Sequence, residues 1–168
     1  LGASDYIHKP FHGPIVRWRV RLHLQLVNQR KMLEELAHVD ALTAIANRRK
    51  YEEIFEVEWK TAIRVQRPLS LALLDIDHFK KINDKFGHLY GDEVLILIAN
   101  MLKTTFRESD LIFRYGGEEF VVLLKGLTKA ECLEALTRCK DTVEHAQFPD
   151  LDKITISIGV KEFDDNEF

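Results

Sequence analysis

The chain has 168 residues, 46% of them hydrophobic, and a formal net charge of −3. That size suits one domain with a sizeable core plus an additional segment, and the mild acidic balance makes no electrostatic case for binding nucleic acid or an anionic membrane. The sequence reads without an apolar run long enough to span a bilayer and without a signal peptide. Cys132 and Cys139 fall two turns apart on what reads as one helix, too far for a disulfide, so reduced thiols and a cytoplasmic location are expected. The chain opens on Leu1 and not on Met, and is expected to begin inside a longer protein.

Residues 1–13 are turn-rich and close no unit of their own. Gly2-Ala3, Asp5-Tyr6-Ile7 and Lys9-Pro10-Phe11 resemble the last strand and loop of a response-regulator receiver domain. The resemblance implies a lysine that contacts a phosphorylated aspartate, and commonly a cis bond before the proline. Neither that aspartate nor its acidic pocket lies in this chain, and an ordinary strand and turn is the alternative reading. Residues 14–38 read as a helical stalk, with Pro14 in the first turn. Ile15, Trp18, Leu22, Leu26, Gln29, Leu33 and Leu36 follow in steps of three or four. Such a seam suits pairing with a second copy, or a single amphipathic helix lying on its own domain. Arg17, Arg19, Arg21, Arg30 and Lys31 are read as solvating this helix.

Residues 39–168 carry the main unit. Asn47 is a good N-cap for a helix to about Gln66, with Tyr51, Ile54, Phe55, Trp59 and Ile63 as its buried face. Leu69 to Asp75 reads as a buried strand ending in acids, and Asp77 can cap a short helix through Phe86, stopped by Gly87. A second helix runs from about Tyr90 to Phe106, with Val94, Leu95, Leu97, Ile98, Met101 and Leu102 inward. Leu111-Ile112-Phe113 and Phe120 to Leu124 flank Gly116-Gly117, which reads as the two-residue turn of a hairpin at positive φ. Thr128 to Ala146 is helical, and Ile154 to Val160 alternates as a strand. From Leu69 onward, the order β-α-α-β-β-α-β describes an α/β sheet with helices on one side.

Unpaired acids at the end of a core strand are costly unless they hold a cation or a partner. If the Leu69–Asp75 strand lies beside the hairpin, Asp75 and Glu118 can converge on one hard cation such as magnesium, bound together with substrate phosphates. A solvated acidic tip is the bland alternative. Arg114 to Phe120, RYGGEEF, and Asp75 to Asp84, DIDHFKKIND, together resemble the GGDEF family of diguanylate cyclases, over about Asp40 to Val160.

The resemblance implies a palm-like, antiparallel-containing sheet flanked by helices and preceded by the stalk. It further implies condensation of two GTP into cyclic di-GMP and pyrophosphate by a homodimer using Mg2+ or Mn2+. Asp75, Glu118 and the Ile76 carbonyl would hold the metal, and Glu118, Glu119 and Lys80 would serve catalysis, with Asp77 a further base candidate. Phe79, Lys80, Asn83, Asp92, Gly116 and Gly117 would bind substrate, with Asn83 and Asp92 on guanine. A helix N-terminus at residues 77–80 favours phosphate, and a carboxylate can accept from both N1–H and the amino group of guanine. Arg107 and Asp110, with Arg138 as a second contact, would form an inhibitory product site; a surface ion pair is the alternative for the first two.

Ala44 stands where the family's opening motif, Asp-x-Leu-Thr-Gly, has glycine, and would cost about 1 kcal/mol if positive φ is needed there. Family members continue past the last strand with a helix and a strand that bring a Lys and an Arg to the phosphates. A chain ending at Phe168 is therefore expected to bind GTP weakly and to leave part of the sheet uncovered. A module that only senses GTP or cyclic di-GMP, and a cyclase making a mononucleotide ring, are the competing functions.

Overall fold

The structure, a computed structural model, describes residues 12–148, 151 and 153–163. Its elements are α1 (Gly13–Leu36), β1 (Ala46–Asn47), α2 (Arg48–Val65), β2 (Leu69–Ile76), α3 (Phe79–Phe86), α4 (His88–Thr105), β3 (Leu111–Gly116), β4 (Glu119–Lys125), α5 (Lys129–Glu144) and β5 (Ile156–Phe163). They fall into two units, Leu1–Ala37 and His38–Phe168. The receiver-like stretch Gly2 to Phe11 and the side chains of Leu33 and Leu36 lie outside the described residues.

In the first unit, Ile15, Trp18, Leu22 and Leu26 of α1 are exposed. Val20, Leu24 and Val27 are exposed as well, on the other side of the helix, so α1 carries two apolar stripes. Opposed stripes cancel in the helical periodicity, which is why a single seam was the simpler sequence reading.

The second unit is built on a five-stranded sheet in the order β1-β3-β4-β2-β5, in which β1 pairs parallel and every other neighbour antiparallel. Alternation along β2 sends Ala72, Leu74 and Ile76 to one face, where they meet Phe120, Val122 and Leu124 of β4 and the apolar sides of α3, α4 and α5. The opposite face packs Phe113, Val121 and Leu123 beneath Tyr51, Ile54 and Phe55 of α2. Helices therefore cover both faces: α3 to α5 share one, and α2 takes the other.

The α2 face is thinner than the sequence suggests. No residue of α2 is fully buried and Ile63 is exposed, because a single helix must cover the whole face. Aromatic contacts do much of that work, through Tyr51 against Phe113 and Trp59 against Phe163. Leu73, on the uncovered part, remains 40% exposed. On α4, Leu97 sits at the edge of the buried face formed by Val94, Leu95 and Ile98, and is exposed.

Caps follow their chemistry in most places. Asn47 accepts from the Lys50 N–H, Gln66 closes α2 in the left-handed region, and Thr128 with Glu131 forms a full capping box on α5. α3 departs from expectation. It begins at Phe79 with His78 in the left-handed region and no side-chain cap. Asp77 instead accepts from the Thr155 and Ser157 hydroxyls, both at 2.6 Å, and ties the end of β2 to β5. β5 itself starts two residues later than expected and runs on to Phe163. Both cysteines are buried and free, and burial pushes the Cys139 thiol up to about 12.

Candidate active site

The β3–β4 hairpin turns at Gly117-Glu118, one residue beyond the expected Gly116-Gly117. Gly116 is the last residue of β3, and neither glycine adopts a left-handed φ. A bulge explains the shift: Arg114 pairs with Phe120 and Gly116 with Glu119, so Tyr115 is an extra residue in β3. Gly117 is exposed with open space where a side chain would stand, which lets another molecule approach the backbone.

Two arginines hold this tip in place. Arg114 donates from Nε and Nη2 to the Gly117 carbonyl, at 3.2 and 2.9 Å, and from Nη1 to Asp40 Oδ1 at 2.9 Å. The guanidinium and the carboxylate are only 15% and 23% exposed. Asp40 Oδ1 also takes the Thr43 N–H and hydroxyl, which closes the turn leading into β1. Burial works to raise the Asp40 pKa, but the bonds from Thr43 and Arg114 outweigh it, and the carboxyl lies below its ordinary value. Arg48 stacks its guanidinium 4.7 Å from the centre of the Tyr115 ring. Sequence reading missed Arg114 and Asp40 as partners, because their pairing spans 74 positions and only the fold joins them.

The same turn confirms the conformational expectation for Ala44, whose φ is 52°. It sits where the chain reverses between Asp40 and Ile45, with its N–H on the Asp40 carbonyl at 2.9 Å.

The acids gather beside this tip. Asp75 lies directly across from Glu119 on β4 and from Ser157 on β5, and Glu118 follows one residue out in the turn. Glu119, and not Glu118, is thus the cross-strand neighbour of Asp75. All three acids are half-buried. Among the described residues, neither the Asp75 nor the Glu118 carboxylate has a hydrogen-bond or ion-pair partner. Among the described residues, no group of three or more His, Cys, Asp or Glu side chains is arranged to hold a metal ion by itself. An open pair of carboxylates at strand ends fits a hard cation that keeps most of its coordination for water and phosphate oxygens.

β2 leads from these acids straight into α3. The Phe79 side chain is core, 7% exposed, so only its backbone N–H can face a ligand, whereas Lys80 is exposed on the first turn. Asn83 near the end of α3 and Asp92 in the first turns of α4 are half-buried where the two helices meet.

Arg107, Asp110 and Arg138 are brought together elsewhere, around a cavity of about 210 Å³ also lined by Glu131 and Glu134. Asp110 is 8% exposed and accepts the Arg107 backbone N–H through Oδ2 at 3.1 Å, so the two residues close a turn and form no surface ion pair. Asp110 Oδ1 is buried without a partner. A buried acceptor left unsatisfied is costly, and its presence marks a place for a donor.

Residues 37–167 match the family model described as diguanylate cyclase, GGDEF domain. The chain belongs to the GGDEF family. It is 38% identical over 173 residues to diguanylate cyclase DgcM of Escherichia coli, covering 99% of this chain and 42% of DgcM. It is 37% identical over 172 residues to response regulator PleD of Caulobacter vibrioides, covering 95% of this chain and 38% of PleD. This GGDEF chain therefore spans about two fifths of the length of these relatives. Its structure resembles the coiled coil and GGDEF domain of DgcB from Caulobacter crescentus, solved in complex with c-di-GMP, at a TM-score of 0.76 and 26% identity. That match covers 89% of this chain and 83% of the other. The five-stranded, helix-flanked sheet is the GGDEF palm, and no helix among the described residues is long and apolar enough to cross a membrane.

Proposed function

We propose that this GGDEF domain is a diguanylate cyclase, which joins two GTP molecules into cyclic di-GMP with loss of pyrophosphate. The observation that carries the reading is the grouping of Asp75, Glu118 and Glu119 at an open, doubly braced turn, with the start of α3 immediately after the acids. Attack of a 3′-hydroxyl on an α-phosphate needs positioning and charge neutralisation more than a reactive side chain. Asp75, Glu118 and the Ile76 carbonyl would hold Mg2+ or Mn2+. A divalent ion there neutralises charge on the triphosphate and on the leaving pyrophosphate.

The chain's own groups do the rest. Asn83 and Asp92 read the guanine edge, Lys80 and the first N–H groups of α3 take phosphate oxygens, and Gly117 lets the nucleotide lie against the turn. Glu119, across from Asp75, would accept the proton of the attacking hydroxyl. Asp77 is withdrawn from that role: the Ser157 and Thr155 hydroxyls hold it as a carboxylate, with its pKa below the ordinary value. One domain presents one such site, so two copies must face each other, and the exposed stripes of α1 suit a paired stalk. The likeness to PleD supports a response-regulator setting, with residues 1–13 as the end of a receiver domain and 14–38 as the stalk. GTP as substrate places the reaction in the cytoplasm.

The Arg107–Asp110–Arg138 cavity is the inhibitory product site in this reading. Two exposed guanidinium groups suit phosphate and the Hoogsteen edge of guanine, and Asp110 Oδ1 awaits an N–H donor. Chromatography of the products formed from GTP and Mg2+ tests the assignment. Cyclic di-GMP is expected; cyclic GMP, or no product from a chain that still binds cyclic di-GMP, would overturn it.

A further inference from the structure

Gly91 lies buried in the first turns of α4, facing the end of α3. Its φ is not left-handed, so the backbone does not require glycine there, and a helix interior ordinarily prefers alanine. The helix does not use it as a cap either, since Gly87 holds that position. What glycine provides is space. A Cβ at position 91 would overlap Asn83 Oδ1 outright, stand 3.0 Å from Asn83 Cγ and come within 3.2 Å of Phe79 Cζ.

Asn83 is held in that space by shape. Its backbone carbonyl accepts the Gly87 N–H at 2.8 Å, but its side-chain amide has no hydrogen-bond partner among the described residues. A half-buried amide with unused donors and acceptor, seated against the residue that precedes Asp92, is disposed to meet a ligand edge. Guanine offers both N–H donors and acceptors on adjacent atoms, which suits an amide beside a carboxylate. Adenine presents a mismatched edge.

We propose that Gly91 is a specificity-determining residue, a notch in α4 that seats the Asn83 amide beside Asp92 so that one guanine meets both. The proposal rests on the assignment of Asn83 and Asp92 as the guanine-binding pair. Gly91 acts through Asn83 and is a positioning residue. Adding a methyl group at 91 displaces mainly the end of the Asn83 side chain, which can swing away without unfolding either helix, while the Phe79 ring has to give by a few tenths of an ångström. The fold should tolerate the change while base recognition does not.

The test is a double-mutant cycle on Gly91→Ala, Asn83→Ala and the pair, measured for thermal unfolding and for Mg2+-dependent binding of 3′-deoxy-GTP and 3′-deoxy-ATP, which lack the attacking hydroxyl. Gly91→Ala should weaken 3′-deoxy-GTP tenfold or more, as Asn83→Ala does, and narrow the preference over 3′-deoxy-ATP, with Tm shifted by no more than a few degrees. In the Asn83→Ala background it should cause no further loss of affinity, and the small cost of the Phe79 contact is all that should remain in Tm. Parental affinity and preference in Gly91→Ala would overturn the proposal, as would equal losses with and without Asn83, which would make the glycine a packing residue. Parental binding by Asn83→Ala alone would remove the guanine-reading premise itself, a failure seen in that single variant and distinct from the other two.

Discussion

The hairpin tip and the Arg107–Asp110 cavity both present carboxylate oxygens without protein partners, yet they are held in different ways. Asp110 is fixed by a neighbour three positions away, through a turn that closes on the Arg107 N–H. The tip is fixed from a distance: Asp75 arrives on β2, Glu118 and Glu119 on the hairpin, Arg48 on α2, and Asp40 on the turn before β1. A local turn forms wherever its few residues are present. A site assembled from four segments depends on the pairs that brace it, so damage to a brace should reach the chemistry at the tip and leave the cavity intact.

Removing the main brace should have the largest effect. Arg114→Ala deletes charge-assisted bonds to Asp40 and to the Gly117 carbonyl in a largely buried setting, and should cost about 2 to 3 kcal/mol of stability. Product formation should fall at least tenfold, while affinity for cyclic di-GMP at the cavity stays at the parental level. Kinetics, thermal unfolding and calorimetric titration of the product check the three parts. Loss of both functions together would break the distinction between the regions.

The reciprocal change acts on the cavity alone. Arg107→Ala should leave the initial rate unchanged and weaken product inhibition tenfold or more, since the guanidinium is exposed and supports no other element. Initial rates at increasing cyclic di-GMP read this directly, and equal inhibition of variant and parent would refute the site.

The Asp40 brace also has a pH signature. Its carboxyl is depressed below 3.8 in the folded chain, so the stabilisation is present in full above the unfolded value and disappears as pH falls through the lower, folded value. The Tm difference between the parent and Asp40→Ala should therefore hold steady from neutrality to about pH 5 and narrow below about pH 4. A difference that does not change with pH would remove the charge from the account of the brace.

The smallest effect concerns the strained turn beside the same pair. Ala44→Gly relieves a left-handed alanine and should raise stability by up to about 1 kcal/mol, without altering the rate. An unchanged or lower Tm would mean that the turn is not strained at that position.

The contrast between the two regions also explains what could be read from sequence. Arg107 and Asp110 were legible as a pair because they lie three positions apart, and the cap at Asn47 was legible because capping is local. Asp75 and the Glu118-Glu119 pair were legible as acids placed at strand ends. The bulge at Tyr115 was not, since an extra residue in one strand shows only against its partner's register, and it moved the turn to Gly117-Glu118. Asp77 reads as a helix cap until Thr155, just before β5, and Ser157 within it arrive from 78 and 80 positions away. Ile63 and Leu97 fit a helical periodicity whose apolar face proved narrower than their spacing implies.

The central claim is that Asp75 and the acidic turn form a cation-dependent centre for joining two GTP. Asp75→Ala and Glu118→Ala should each abolish cyclic di-GMP formation at saturating Mg2+. Both should keep or slightly raise Tm, because neither carboxylate supports the fold through a protein partner and both lie in a cluster of like charge. Measuring product and thermal unfolding on the same samples decides the matter: no product from a stably folded Glu118→Ala is the predicted result, and parental turnover by that variant would contradict the account.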